Sequence, residues 1–263
     1  GGNTVARVES GRKVGDVVLE VQNVSLPKDD GTYLLKDVSF KLHRNEILGI
    51  YGLRGAGRTE LLECLIGAQP TMQGKIMLDG SAIKSRTISG RIKDGFALIP
   101  EDRKNQGIFT NMDVKQNMTI SSLPSFVKWT AVKPKSEATA VDEMINGLHI
   151  KVPGRATMIK SLSGGNQQKV VIGKSLLTQL KVLLMDEPTR GIDIAAKRDV
   201  FNICETLAQK GLGIVFVSSE MQEMLAIPDR VLVLSEGKLK GEFMRDELTE
   251  EKLVRASAID LNA

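Results

Sequence analysis

Aromatic side chains make up only 4% of this sequence, with one tryptophan and two tyrosines, so it lacks the stacking rings that nucleic-acid surfaces interleave with basic residues. Charge of one sign is also scarce: 36 Lys and Arg face 32 Asp and Glu, a net charge of +4, with the two signs interspersed. That is a mixed solvated surface, and no nucleic acid is expected as a partner. The two cysteines, Cys64 and Cys204, and the two histidines, His43 and His149, lie far apart. This spacing resembles neither a zinc site nor a disulfide framework and fits a reducing cytoplasm. No apolar run approaches the ~18 residues of a membrane span, and the N-terminus lacks the charged-then-apolar pattern of a signal peptide. Any membrane contact is therefore expected to run through a partner.

What remains is an ordinary globular composition, 41% hydrophobic and 26% charged over 263 residues, enough for one large or two small domains with a real core. Residues 1–15 are polar and glycine-rich without a sustained period, Gly1-Gly2 resembling a cloning remnant, and read as linker. From Asp16, VVLEVQNV and DVSFKL alternate apolar and polar in the manner of half-buried strands, predicting an N-terminal antiparallel sheet. EILGIYG is a buried strand ended by glycine, and Leu61, Leu62, Leu65 and Ile66 then recur at helical spacing. KIMLDG, GFALIPED, KVLLMDEP, GIVFVSSE and RVLVLSEG read as further strands, separated by helical text such as AAKRDVFNICETLAQKG. That alternation predicts a mostly parallel sheet. Between about Asn111 and Gly154 there is no strand pattern, and Val141, Met144, Ile145 and Leu148 predict helices, a helical insertion over about 111–160. TEEKLVRASAI reads as a short amphipathic helix or a frayed end, and there is no internal repeat.

Two motifs carry phosphate chemistry. GLRGAGRTE, from Gly52 to Glu60, fits a phosphate-binding loop: Gly52, Gly55 and Gly57 let successive N–H groups, Ala56 among them, face phosphate oxygens. The helix starting near Thr59 adds its positive N-terminus, and the Thr59 hydroxyl suits Mg²⁺. The basic residue is Arg58 where the pattern usually has lysine, a broader planar cation. VLLMDEP places Asp186 and Glu187 at the carboxyl end of a buried strand, where open α/β sheets bind ligands. Asp186 is a candidate Mg²⁺ ligand through water, and Glu187 a candidate to polarise a water that attacks a γ-phosphate.

A third motif narrows the reading. LSGGNQQK, Leu162 to Lys169, places Ser163, Gly164 and Gly165 at the head of a helix carrying Gln167, a second anion-binding helix terminus. It resembles the signature motif of ABC transporter ATPases. With PEDRK, DEPTRGID and SSE, nearly the whole chain from Asp16 to Phe243 resembles the C-terminal nucleotide-binding half of the tandem ATP-binding subunit of bacterial monosaccharide importers, the ribose, galactose and xylose group.

The resemblance implies a P-loop NTPase fold of class α/β over 16–263, with its core over 16–110 and 161–263. It implies ATP and Mg²⁺ as cofactors, and an ATP hydrolase that energises import from the cytoplasmic face of the inner membrane. The implied partners are a second ATPase half, a membrane permease and, indirectly, a periplasmic sugar-binding protein. It further implies that Asp193 lies at the dimer seam, that Glu101 stands where the family usually has glutamine, and that Ser219 stands where it has a switch histidine. Tyr33 is the one candidate for an adenine-stacking ring.

Arg58, Glu101 and Ser219 all depart toward weaker stabilisation of a transition state, and loss of one well-placed donor typically costs about 10²–10³ in rate. The implied division of labour is a slow site on this half's degenerate phosphate loop and an intact signature loop serving the partner's nucleotide. A soluble non-transport ABC protein acting in translation or regulation, and a binding-only regulatory nucleotide domain, remain alternatives. The loop after Glu101 and the segment 111–150 are the expected permease-facing surface, since Phe126 and Trp129 need either a partner or a core to cover them.

Overall fold

The computed structural model describes residues 11–128, 131–132 and 134–258. In chain order the elements are β1 (Val17–Pro27), β2 (Tyr33–His43), β3 (Ile47–Tyr51), α1 (Arg58–Ile66), β4 (Gln73–Leu78), β5 (Ser81–Ala82), α2 (Ile88–Asp94) and β6 (Phe96–Ile99). Then come α3 (Val114–Thr119), β7 (Val127–Lys128), β8 (Ala131–Val132), α4 (Pro134–Gly147), α5 (Gly164–Leu176), β9 (Val182–Asp186) and α6 (Ile194–Gln209). The chain closes with β10 (Gly213–Val217), α7 (Met221–Ala226), β11 (Arg230–Ser235), β12 (Lys238–Met244) and α8 (Glu250–Ser257). The fold is α/β, and the chain divides into two compact units.

Among the described residues the first unit comprises 11–98, Lys181–Glu187 and 204–258. Its antiparallel sheet has the order β2-β1-β4-β5, and its larger sheet the order β12-β11-β3-β10-β9-β6. In the latter β11, β3, β10 and β9 run parallel and β12 returns antiparallel to β11. Every residue of β3, β9, β10 and β11 is buried, which is why their text is continuously apolar and not alternating. One hydrophobic cluster joins the two sheets and α1, from Val18, Leu19 and Val21 of β1 through Leu61, Leu62 and Leu65 to Leu184, Val215 and Leu232. Of the segment read as linker, residues 1–10 lie outside the described residues, whereas the Arg12 side chain is only 2% exposed and is ion-paired with Glu205 and Asp229.

The second unit is Ile99–Leu180 with Pro188–Ile203. Here α3 and α4 pack on α5, burying Val114, Met118, Val141, Val170, Val171 and Ile172. The helical text of α3 begins at a capping box in which the Asp113 carboxylate accepts from the Gln116 N–H and the Gln116 side chain accepts from the Asp113 N–H. The expectation of helices alone between 111 and 154 needs correction. β7 and β8 form a short hairpin, Val127 opposite Val132 and Lys128 opposite Ala131. Pro124 sits in a 3₁₀ turn, Leu123–Phe126, and Pro134 opens α4, so helical text is interrupted on both sides of a β-branched and aromatic stretch. Phe126 is buried at 8% exposure, so it needs no partner to cover it. Trp129 lies outside the described residues.

Candidate functional site

In the first unit, the chain leaves β3 at Tyr51 and turns through Gly52–Gly57 into α1. A Cβ on Gly52 would lie 2.3 Å from the Leu234 carbonyl oxygen, so only a hydrogen fits there. Gly55 and Gly57 have φ of 83° and 99°. The turn is held by Ala56 N–H donating to Leu53 O (3.1 Å) and Gly237 N–H donating to Ala56 O (3.0 Å). Gly57, which precedes α1, has no side chain to cap it, so the first turn of a helix headed by Arg58, Thr59 and Glu60 has N–H groups suited to an anionic acceptor.

Two acids stand against this turn. β9 delivers Asp186, buried at 3% exposure, and Glu187 follows at φ 42°, a left-handed conformation that non-glycine residues adopt at a cost of order 1–3 kcal/mol. Glu187 N–H donates to Val217 O (3.0 Å), which fixes that bend at the end of β10. Thr59 Oγ1 donates to Asp186 Oδ2 (2.8 Å), and Arg58 Nη1 donates to Glu187 Oε1 (2.8 Å). The same Oε1 accepts from the Ser219 backbone N–H (2.8 Å). Ser219 thus contributes its amide, and its side chain is exposed. Burial pushes the Asp186 carboxyl up to about 6, with the Glu187 and Glu60 carboxylates acting in the same sense and the Thr59 hydroxyl and Arg58 opposing it.

The donor set suits a hard cation completed by phosphate and water. Thr59 offers a hydroxyl, Asp186 a carboxylate, and among the described residues no group of three His, Cys, Asp or Glu could hold a metal. The glycines leave the backbone room that a Cβ would fill. Residues 52–60, Asp186 and Glu187 therefore fit Mg-ATP in kind. Tyr33 is 42% exposed at the start of β2, two residues before Leu35, whose Cδ2 lies 2.8 Å from where a Cβ on Gly57 would be.

The second unit holds the remaining motif residues. Ser163 caps α5, its Oγ accepting from Asn166 N–H (3.4 Å) and Asn166 Nδ2 (3.0 Å). A Cβ on Gly164 would lie 2.6 Å from Arg103 Nη2 and 3.2 Å from Gly191 O, and one on Gly165 would lie 2.5 Å from Ala196 Cβ. Gln167 turns inward, its Nε2 donating to the carbonyls of Ile159 and Leu162, both at 3.2 Å, and it is 8% exposed. Its side chain braces the loop before α5 and does not join the surface that Ser163 presents. Asp193 is exposed and caps α6 by accepting from Ala196 N–H (2.9 Å). Glu101 is ion-paired with Arg190.

The structure thus brings Gly52–Glu60, Asp186, Glu187 and Ser219 together in one unit, and Glu101, Ser163–Gln167 and Asp193 in the other. Sequence reasoning missed Arg103 and Arg190. Both lie in loop motifs, PEDRK and PTRGID, but nothing in that text marks what either arginine holds.

The profile of the ABC transporter family matches residues 35–190. Among curated relatives, the xylose import ATP-binding protein XylG of Pseudomonas savastanoi pv. phaseolicola is 44% identical over 248 residues, covering 93% of this chain and 48% of that protein. That of Brucella abortus is 45% identical over 247 residues, covering 93% and 48%. The chain spans about half the length of the curated relatives it matches. Among solved structures, a nucleotide-free ATP-binding cassette from an ABC transporter superposes with a TM-score of 0.79 at 19% identity, covering 93% of this chain and 100% of the other. The Clostridium perfringens cbiO1 structure gives 0.77 at 24% identity, covering 91% and 93%. At these identities the likeness is one of fold.

Proposed function

The chain belongs to the ABC transporter family, and on that premise we propose that it is the ATP-binding and ATP-hydrolysing module of a bacterial monosaccharide importer. The relatives named for xylose import make a pentose the first sugar to test. In this reading the module pairs with a second ATPase half, docks on a membrane permease at the cytoplasmic face of the inner membrane, and depends indirectly on a periplasmic sugar-binding protein. Among the described residues no helix is long and apolar enough to cross a membrane, and in this reading the permease holds the module at the membrane.

The observation that carries the reading is the pairing of the glycine loop with the two acids, Thr59 on Asp186 and Arg58 on Glu187. Thr59 and Asp186 would hold Mg²⁺, and Gly55, Gly57 and Arg58 would cradle the phosphates. Bound Mg-ATP supplies the electrophilic γ-phosphoryl group and a cation that neutralises developing charge. Asp186 would have to be ionised to take the metal, against the upward shift that burial imposes. Glu187 Oε1 accepts from Arg58 and from the Ser219 N–H, which leaves Oε2 to orient a water, while freeing Arg58 for phosphate requires that ion pair to open. That requirement, together with the serine at 219, supports slow turnover on this loop.

Titration calorimetry of the chain with Mg-ATP and Mg-ADP tests the proposal, with saturable binding expected. No heat at millimolar nucleotide sinks it. The binding-only alternative draws on the same engagement of Glu187 by Arg58. It is distinguished in the assembled transporter, where unchanged sugar-stimulated hydrolysis in both Glu187→Gln and Gly164→Asp would favour it.

A further inference from the structure

The strongest cluster outside the phosphate loop lies entirely in the second unit, where three loops meet on Arg103. Asp102 opens a π-helical turn, Arg103–Gly107, and its carboxylate accepts from the N–H groups of Lys104 (3.1 Å) and Asn105 (3.2 Å) and from Asn105 Nδ2 (2.7 Å). From that turn Arg103 reaches the loop after β9, donating Nη1 to Arg190 O (2.7 Å) and Nη2 to Gly191 O (3.1 Å). Arg190 points the other way and pairs with Glu101. The two loops therefore exchange arginines. Arg103 is 8% exposed, so its guanidinium is largely desolvated, Nη1 and Nη2 being satisfied by the two carbonyls while the buried Nε finds no partner among the described residues. The planar fork matters, because two successive carbonyls need two donors at fixed spacing, which a lysine ammonium does not present. The third loop enters through Gly164, whose missing side chain leaves the space Arg103 fills, a Cβ there falling 2.6 Å from Nη2.

We propose that Arg103 is a positioning residue that holds the signature turn at Ser163–Gly165 and the 190–193 loop in one register, with the Glu101–Arg190 pair closing the clasp. Glu101 then has a local partner, the exposed Arg190 across the clasp. The consequence for chemistry rests on the reading above, in which Ser163–Gly165 serves the nucleotide held by the partner half.

Hydrogen–deuterium exchange on the chain tests the clasp without any nucleotide. Arg103→Ala is expected to speed exchange of amides 163–167 and 190–194 about tenfold or more while β3, β9 and β10 keep their protection, which also shows that the variant folds. Arg103→Lys should fall between. Glu101→Arg should loosen 190–194, and the swap Glu101→Arg/Arg190→Glu should restore it. Unchanged exchange in Arg103→Ala, or a swap that restores nothing, overturns the clasp. In reconstituted transporter, Arg103→Ala should lower kcat for ATP about tenfold or more with KM nearly unchanged, as a misplaced catalytic group does. Abolished hydrolysis in Gly164→Asp beside wild-type kcat in Arg103→Ala overturns the positioning role. Wild-type rates in both overturn the underlying assignment of the signature turn, and this inference with it.

Discussion

Glu187 and the nucleotide phosphates compete for one cation, the Arg58 guanidinium. Glu187 Oε1 holds the guanidinium at 2.8 Å, and this ion pair must open before the loop binds at full strength. Glu187→Gln is therefore expected to tighten Mg-ADP binding to the chain, on the order of tenfold, the scale of one partly buried ion pair. In an Arg58→Ala background the same change should gain far less. Calorimetry on the four proteins of that cycle separates this coupling from simple carboxylate–phosphate repulsion, which would give equal gains in both backgrounds. Gly52 sets a harder limit. Gly52→Ala drives a methyl against the Leu234 carbonyl oxygen and should destabilise by about 1–3 kcal/mol in urea denaturation while abolishing nucleotide binding.

Helix ends carry much of the local specification. Removing the Asp113 carboxylate by Asp113→Ala strips the cap from a six-residue helix and should cost about 1 kcal/mol, read as a lower urea midpoint at unchanged slope. The same scale explains what could be read from sequence. EILGIYG, KVLLM, GIVFV and RVLVL were legible as strands because a sheet covered on both faces selects continuous apolar runs. β12 was not read as a strand. Its residues, KLKGEFM, alternate between exposed and half-buried, and its strand state depends on pairing with β11. The β7–β8 hairpin was hidden for a related reason, two-residue strands being too short for any period. The glycine loop, Asp186 and Glu187 were legible because phosphate chemistry needs those residues at those spacings. Arg103 was not, since its acceptors lie 87 and 88 residues away and carbonyl acceptors leave no mark in side-chain text. Gln167 was assigned to the signature surface by position, yet its side chain serves the backbone behind it.

At the scale of the whole molecule, the cysteines report on cooperativity. Burial pushes the Cys64 thiol up to about 12, helped by the Glu63 and Glu60 carboxylates, and burial likewise pushes Cys204 up to about 12. Both should resist thiol reagents at pH 8 until the chain unfolds, as a time-resolved thiol titration in rising urea would show. The unfolded chain releases these protons near 9 while the folded chain keeps them, so folded stability should fall as pH rises from about 9 toward 12. Urea midpoints across that window, with and without Cys64→Ala, check the sign. Arg12 bears on where this fold can be cut. Its side chain reaches the Asn45 carbonyl (3.1 Å), Glu205, and both oxygens of Asp229 (2.9 and 2.7 Å), and Asp229 in turn accepts from the Ile47 N–H (2.8 Å) at the head of β3. Dissection at the first strand, where the hydrophobic pattern begins, would strand two acids without their cation and cost about 3 kcal/mol. A protease or a designer seeking the minimal autonomous piece should thus find that it starts upstream of Arg12, within text that looks dispensable.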